Sequence, residues 1–251
     1  MAKKETTSFK KYLKWFWGIV LGGFTLILLL FLYTAWDPFD ALPSFEELEN
    51  PQTNLATEVI SIDGKTIGKY ATENRTPITF KELPTNLINA LVATEDERFY
   101  EHSGIDFRGT ARAVVKLGAG GGASTITQQL AKNLFTKRAS GNKIKRVIQK
   151  AKEWIVAIKL ERQYTKQEII AMYLNTQDFI FRAVGIRSAS RIYFGKEAKD
   201  LDLQEAAIIV AMLKNPRQYN PHRAISKKKS LNRRNVVFAQ MYKNSFITEE
   251  E

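Results

Sequence analysis

No cysteine occurs among the 251 residues, so disulfides and thiolate metal sites are excluded at once. Histidine is almost as scarce: His102 and His222 are the only two, too few for a histidine-based metal cluster. Any divalent ion would have to be held by carboxylates and by a substrate's own phosphates. Negative charge is also in short supply. With 26 acidic residues against 38 basic ones, the formal charge of +12 suits an anionic partner, whether nucleic acid, acidic bilayer surface or phosphorylated substrate. Charge alone does not choose among these. A chain of this length, 44% hydrophobic, accommodates one membrane anchor and one well-buried domain, and a second large catalytic domain does not fit.

Charge is missing altogether from residues 15–36, about 22 positions with cores such as Ile19-Val20-Leu21 and residues 26–32, which matches the length a helix needs to cross a bilayer. Trp15, Trp17, Tyr33 and Trp36 bracket the run as an aromatic belt. Lys3, Lys4, Lys10, Lys11 and Lys14 all precede it, which predicts a cytoplasmic basic tail over residues 1–14 and an external location for everything after Asp37. A cleaved signal peptide is the alternative, but the run is longer than a secretory core and no small-x-small site follows it.

Residues 37–54, with Pro38, Pro43 and Pro51, read as an extended linker, and residues 55–246 as the folded domain. Near its start, β-branched residues flank Asp63-Gly64, which predicts a hairpin between about residues 58 and 70. From Pro84 the pattern turns helical. Leu87, Ile88, Leu91 and Val92 share one face, and Thr165 with Glu168 and Asp202 with Glu205 have the spacing of capping boxes for two more helices. The fold class is therefore mainly α with a small β element. Residues 116–124, rich in glycine, read as a mobile stretch; they match a dinucleotide fingerprint only formally, since no βαβ unit surrounds them. Ser226-x-x-Lys229 and Ser140-Gly141-Asn142 imitate acyl-serine motifs, but in the wrong order and without Lys-Thr-Gly.

Two carboxylates stand out. Glu95 lies one turn beyond Leu91 and extends an apolar face, where it is either an acid bridging a neighbouring lysine or a base with raised proton affinity. Glu153 falls on a predicted helix over residues 144–162 whose main stripe is Ile144, Val147, Ile148, Ala151, Trp154, Ile155 and Ile158. On the opposite face, Arg146, Gln149 and Glu153 with Val156, Ala157 and Leu160 could line a cleft. Lys145, Lys150 and Lys152 nearby form either an ordinary solvated lysine face or a cationic receiver for a phosphate leaving group.

The string Glu95-Asp-Glu-Arg-Phe99-Tyr-Glu-His102-Ser-Gly104-Ile-Asp106, followed by Ala123-Ser-Thr-Ile-Thr-Gln-Gln-Leu-Ala-Lys-Asn133, resembles the family 51 peptidoglycan glycosyltransferases. The resemblance continues through Gln149-Lys-Ala-Lys-Glu153, Tyr173-Leu-Asn175 and Arg233-Arg234 to Met241, so that five motifs stand in order over roughly residues 55–243. It implies a lysozyme-like, two-lobed helical domain preceded by one transmembrane helix in the bacterial cytoplasmic membrane, catalytic side outward and smaller lobe against the bilayer. It further implies polymerisation of lipid II into glycan strands, with inversion and release of undecaprenyl pyrophosphate. Glu95 matches the base that deprotonates the acceptor's sugar hydroxyl, and Glu153 the second catalytic glutamate.

Lys150 and Lys152 match the basic residues near the donor pyrophosphate. Ser124, Thr125, Gln128, Gln129, Lys132, Asn133 and Asn175 match further substrate-binding positions. The resemblance requires no cofactor, leaves room for a divalent cation (Mg or Mn) at the pyrophosphate, and names as partners lipid II, the growing glycan, the membrane and proteins of cell-wall synthesis, but no nucleic acid. Three departures concern Gln149, where arginine is common, Ala171, where glutamate is common, and Ile180-Phe181-Arg182, where a glycine-containing turn is expected. Residues 247–251 are expected to begin a linker to a missing transpeptidase domain, as in a truncated bifunctional protein; a short monofunctional form is the alternative. Two rival readings are a lytic muramidase on the same scaffold and a non-catalytic scaffold for cell-wall synthesis.

Overall fold

The computed structural model describes residues 2–36, 42–43, 57–63, 66–70, 77–115, 122, 124–135 and 142–251. Apolar periodicity becomes helix wherever it was read. The described residues form α1 (Ala2–Trp36), a two-stranded antiparallel hairpin of β1 (Thr57–Ile60) and β2 (Thr66–Tyr70), then α2 (Thr85–Glu95), α3 (Phe107–Val115), α4 (Ile126–Phe135), α5 (Lys143–Gln163), α6 (Lys166–Thr176), α7 (Ile186–Phe194), α8 (Leu203–Lys214) and α9 (Ala224–Lys243). The hairpin pairs Thr57 with Tyr70, and Gly64 of its expected turn lies outside the described residues, as does most of the glycine-rich stretch.

Local chemistry sets the helix ends. Thr165 accepts from the Glu168 amide while the Glu168 carboxylate accepts from the Thr165 amide, and Asp202 and Glu205 repeat the exchange, so both expected capping boxes form. Each satisfies two amides that the helix itself cannot use. Pro84 opens α2, whose Leu87 and Leu91 are fully buried with Val92 beside them. Burying such a side chain stabilises by roughly 1.5–3 kcal/mol. At the centre runs α8, apolar on nearly every side with Ala206, Ala207, Ile209, Val210, Ala211 and Met212 buried, as its contacts with α2 and α9 require.

One expectation changes. In α5 the face carrying Glu153, Val156, Ala157 and Leu160 is the buried one, while of the stripe read as principal only Ala151 is buried and Ile144 and Val147 are exposed. The reason is that α5 serves two partners: its inner face meets α4 and α6, and its outer face meets α1, where the tilted rings of Phe31 and Trp154 have centroids 6.1 Å apart. The helix α1 begins at Ala2, so the basic residues before Trp15 continue the same helix, and its span Phe9–Trp36 is long and apolar enough to cross a membrane.

Candidate active site

The end of α2 delivers Glu95 to the wall of a cleft of about 590 Å³. The loop after α2 contributes Glu97 and Arg98, α3 contributes Arg112, the residues just before α4 contribute Ser124 and Thr125, and α4 itself contributes Gln129 and Lys132. Across from them stand Lys214 of α8 and Arg233 and Lys243 of α9. Basic residues outnumber acidic ones along these walls, an environment suited to an anionic ligand.

Glu95 is half-buried, and its Oε2 accepts from the side-chain amide of Gln129 at 3.0 Å. The neighbouring Asp96 turns inward. It accepts from His102 Nε2 at 3.0 Å and from the Ile126 backbone amide at 3.0 Å, while His102 Nδ1 accepts from the Gly104 amide at 3.2 Å. With Nδ1 used as an acceptor, the imidazole proton resides on Nε2. Thr125 Oγ1 donates to the Gly104 carbonyl at 2.8 Å and accepts from the Gln128 amide in the manner of a helix cap. Asp96, His102 and Thr125 thereby fasten the start of α4 to the segment that carries Glu95.

Gly104 sits at the crossing of these segments with φ +92°, and a Cβ there would lie 2.9 Å from the Ala157 backbone of α5. Only glycine meets both conditions. Farther along the cleft, Arg98 grips Asp106 through two nitrogens. Burial pushes the Asp106 carboxyl up, but the hydrogen bonds from Arg98 and the Gly109 amide outweigh it and hold the group below its usual range. Glu97 accepts from Lys243 at 2.9 Å, Arg98 at 2.8 Å and Arg112 at 3.2 Å, and the Lys243 bond is the main cause of its lowered pKa.

Glu153 stands apart from the cleft walls, buried, with Oε2 accepting from Lys150 at 3.0 Å and Oε1 from Gln149 at 3.3 Å. The same Lys150 ammonium donates to Ser124 Oγ at 2.8 Å, which links Glu153 to the cleft edge. Lys152 departs from the reading of a solvated lysine face: only 4% of it is exposed, because its position on α5 turns it into the packed side.

The other expected site residues divide by position. Gln128 is buried and reaches the Gly104 carbonyl, Asn133 is exposed outside the cleft walls, and Asn175 brackets the backbone of Ile78, donating to its carbonyl at 2.9 Å and accepting from its amide at 3.1 Å. Sequence reasoning did not single out Asp96, Arg98, Arg112 or Lys243. The Asp96-x5-His102 spacing was a usable signal for the first, whereas the three cations around Glu97 come from separate elements. Among the described residues no three histidine or carboxylate side chains converge as a metal-ligand set, so a divalent ion here would depend on oxygens of the substrate.

The departures have local explanations. Gln149 bonds Glu153 directly, and Ala171 faces the core, 9% exposed. At the expected glycine turn, Ile180, Phe181 and Arg182 adopt φ of 58°, 53° and 61°, so three successive side-chain-bearing residues occupy the left-handed region. The turn is closed by Phe179 N–H to the Ala183 carbonyl at 2.9 Å, Ala183 N–H to the Ile180 carbonyl at 2.8 Å and Ile180 N–H to Asp178 Oδ1 at 2.8 Å.

Residues 63–242 match a family model described as Transglycosylase. The chain is similar to penicillin-binding protein 1A of Vibrio cholerae, 40% identical over 236 residues that cover 92% of this chain and 27% of that protein. Against penicillin-binding protein 1A of Escherichia coli the identity is 37% over 224 residues, 88% of this chain and 25% of that one. The chain thus spans about a quarter of the length of these relatives. Among solved structures, that of penicillin-binding protein 1A from Haemophilus influenzae is similar at 24% identity and a TM-score of 0.41, covering 79% of this chain and 20% of that one.

Proposed function

We propose, from the premise that the chain belongs to the transglycosylase family, the family 51 peptidoglycan glycosyltransferases, that it polymerises lipid II with Glu95 as general base. The observation that carries this reading is the different company of the two candidate carboxylates. Glu95 borders the cleft and is steadied by a neutral amide, which leaves it able to accept a proton. Glu153 is buried and already accepts on both oxygens.

In this reaction Glu95 takes the proton of the acceptor's sugar hydroxyl as that oxygen attacks the anomeric carbon of the donor chain. The bond from the carbon to the pyrophosphate oxygen breaks, undecaprenyl pyrophosphate leaves with the electron pair, and configuration inverts. Pyrophosphate departs without a proton when fixed cations receive its charge. Lys150, held between Ser124 and Glu153, supplies such a cation, and Lys132 adds another on the cleft wall. A muramidase that inverts would need a second carboxyl at the leaving oxygen, and Glu153 stands apart from the cleft walls with both oxygens accepting from Gln149 and Lys150.

The same reading places α1 across the bacterial cytoplasmic membrane with the domain on the outer side, next to lipid II, the growing glycan and proteins of cell-wall synthesis. Protease added to intact spheroplasts should digest the domain after Asp37; full protection there would reverse the orientation.

The deciding assay is labelled lipid-linked disaccharide with the purified protein in detergent. Long glycan is expected from wild type, and Glu95→Gln should lower turnover by roughly 10²–10⁴-fold while precursor binding survives. Near wild-type polymerisation by Glu95→Gln would remove it from the role of base.

A further inference from the structure

Glu95 is the end of a chain of three side chains. Its Oε2 accepts from Gln129 Nε2 at 3.0 Å, and Gln129 Oε1 accepts in turn from the Tyr173 hydroxyl at 3.0 Å. Tyr173 belongs to α6, is fully buried, and is absent from the cleft walls.

A glutamine amide has two ends of opposite character, a carbonyl that accepts and an NH₂ that donates. Turned over, it would set its carbonyl against the Glu95 carboxylate, oxygen facing oxygen. The Tyr173 hydroxyl prevents this by requiring an acceptor: among the described residues its hydrogen-bond partner is Gln129 Oε1, and a buried hydroxyl left without one costs on the order of 1–3 kcal/mol. Burial, with the Glu95 charge adding to it, also pushes the Tyr173 phenol well above its ordinary range, so the hydroxyl keeps its proton.

We infer that Tyr173 is a positioning residue for the reaction: through Gln129 it holds Glu95 Oε2 in place and leaves Oε1 as the oxygen that takes the acceptor's proton. Gln129 then acts on the base rather than on the sugar. The inference rests on Glu95 being the base, and it adds a requirement that this reading alone does not contain. A residue acting only through the orientation of a base should affect turnover and leave substrate binding alone.

The test measures kcat and KM on labelled lipid-linked disaccharide for the full chain in detergent, comparing Tyr173→Phe, Gln129→Met and the double variant. Each single change should lower kcat roughly tenfold with KM held within about twofold, and the double variant should be no slower than Gln129→Met, because residues acting as one unit are not additive. Unchanged kcat in Tyr173→Phe, losses that multiply in the double variant, or a raised KM at constant kcat would each overturn the inference. If Tyr173→Phe did not fold, Gln129→Met would still have to show the kcat loss without a KM change. Glu95→Gln in the same assay separates the two levels. Activity there at the wild-type rate defeats the base assignment, whereas an inactive Glu95→Gln beside a fully active Tyr173→Phe defeats only the role of Tyr173.

Discussion

Lys150 Nζ lies 3.0 Å from Glu153 Oε2, one turn along the same helix, and 2.8 Å from Ser124 Oγ at the head of α4. One ammonium therefore joins α5 to the cleft edge. The Lys150 side chain is 40% exposed, which leaves the pair partly open to water. Pairs between exposed groups contribute about 0–1 kcal/mol to stability, and although the Glu153 carboxylate is buried, Gln149 still donates to it and the amide of Lys150→Gln can do so too. Lys150→Gln should accordingly leave the melting temperature almost unchanged while polymerisation falls strongly, with Lys150→Arg retaining more of it than Lys150→Gln. Equal loss of stability and activity in Lys150→Gln would mark the residue as a purely structural link.

Lys152, two positions along, should behave in the opposite way. Its 4% exposure means that truncation removes a buried stem and strands whatever polar group it satisfies. Lys152→Ala should destabilise by roughly 1–3 kcal/mol in a denaturant titration. A shift indistinguishable from that of Lys150→Gln would show that burial of Lys152 does not matter to the fold.

Acid should loosen the far end of the cleft. Glu97 and Asp106 both have folded-state pKa values below their ordinary ones, so their contribution to stability is present above the ordinary carboxylate range and is lost as pH falls through the lowered values. The melting temperature of wild type should drop along that acid limb. Asp106→Asn should start from a lower melting temperature at neutral pH and show a shallower decline, and an unaltered acid limb in that variant would remove Asp106 from the effect.

The turn at Ile180, Phe181 and Arg182 should be improvable. A left-handed backbone costs a side-chain-bearing residue roughly 1–2 kcal/mol, from which about 0.5–1 kcal/mol must be subtracted for the greater freedom of glycine in the unfolded chain. Arg182 is exposed, with φ of 61°, so Arg182→Gly sacrifices little packing. The variant should gain about 0.5–1 kcal/mol in stability. A lower melting temperature would show that the arginine side chain contributes more than its backbone costs.

What could be read from the sequence was mostly what is local. Thr165 with Glu168 and Asp202 with Glu205 lie three residues apart, so the same short segment contains both halves of each interaction, and both form. The burial of Leu87 and Leu91 follows from helical period in the same way. Periodicity also found two apolar faces on α5 but could not say which partner each one meets, because α1 and the core are distant in sequence. The burial of Lys152 was not legible for a simpler reason: lysine is rarely buried, and composition points toward solvent. Glu95 was marked by its position beyond an apolar face and by its motif. Its connection to Tyr173 through Gln129 crosses three helices and leaves no trace in spacing.

Gly104 has a consequence for how such a domain can change over generations. Its amide serves His102, its carbonyl serves Thr125 and Gln128, and its α-carbon rests where any Cβ would press on the Ala157 backbone. Every mutation of a glycine codon to another amino acid adds at least that one carbon, so no substitution offers a tolerable first step at this position. A lineage can escape only if α5 moves away first, and α5 also carries Lys150 and Glu153. Drift at Gly104 is thereby tied to the geometry of the reaction itself, although the residue has no side chain to touch a substrate.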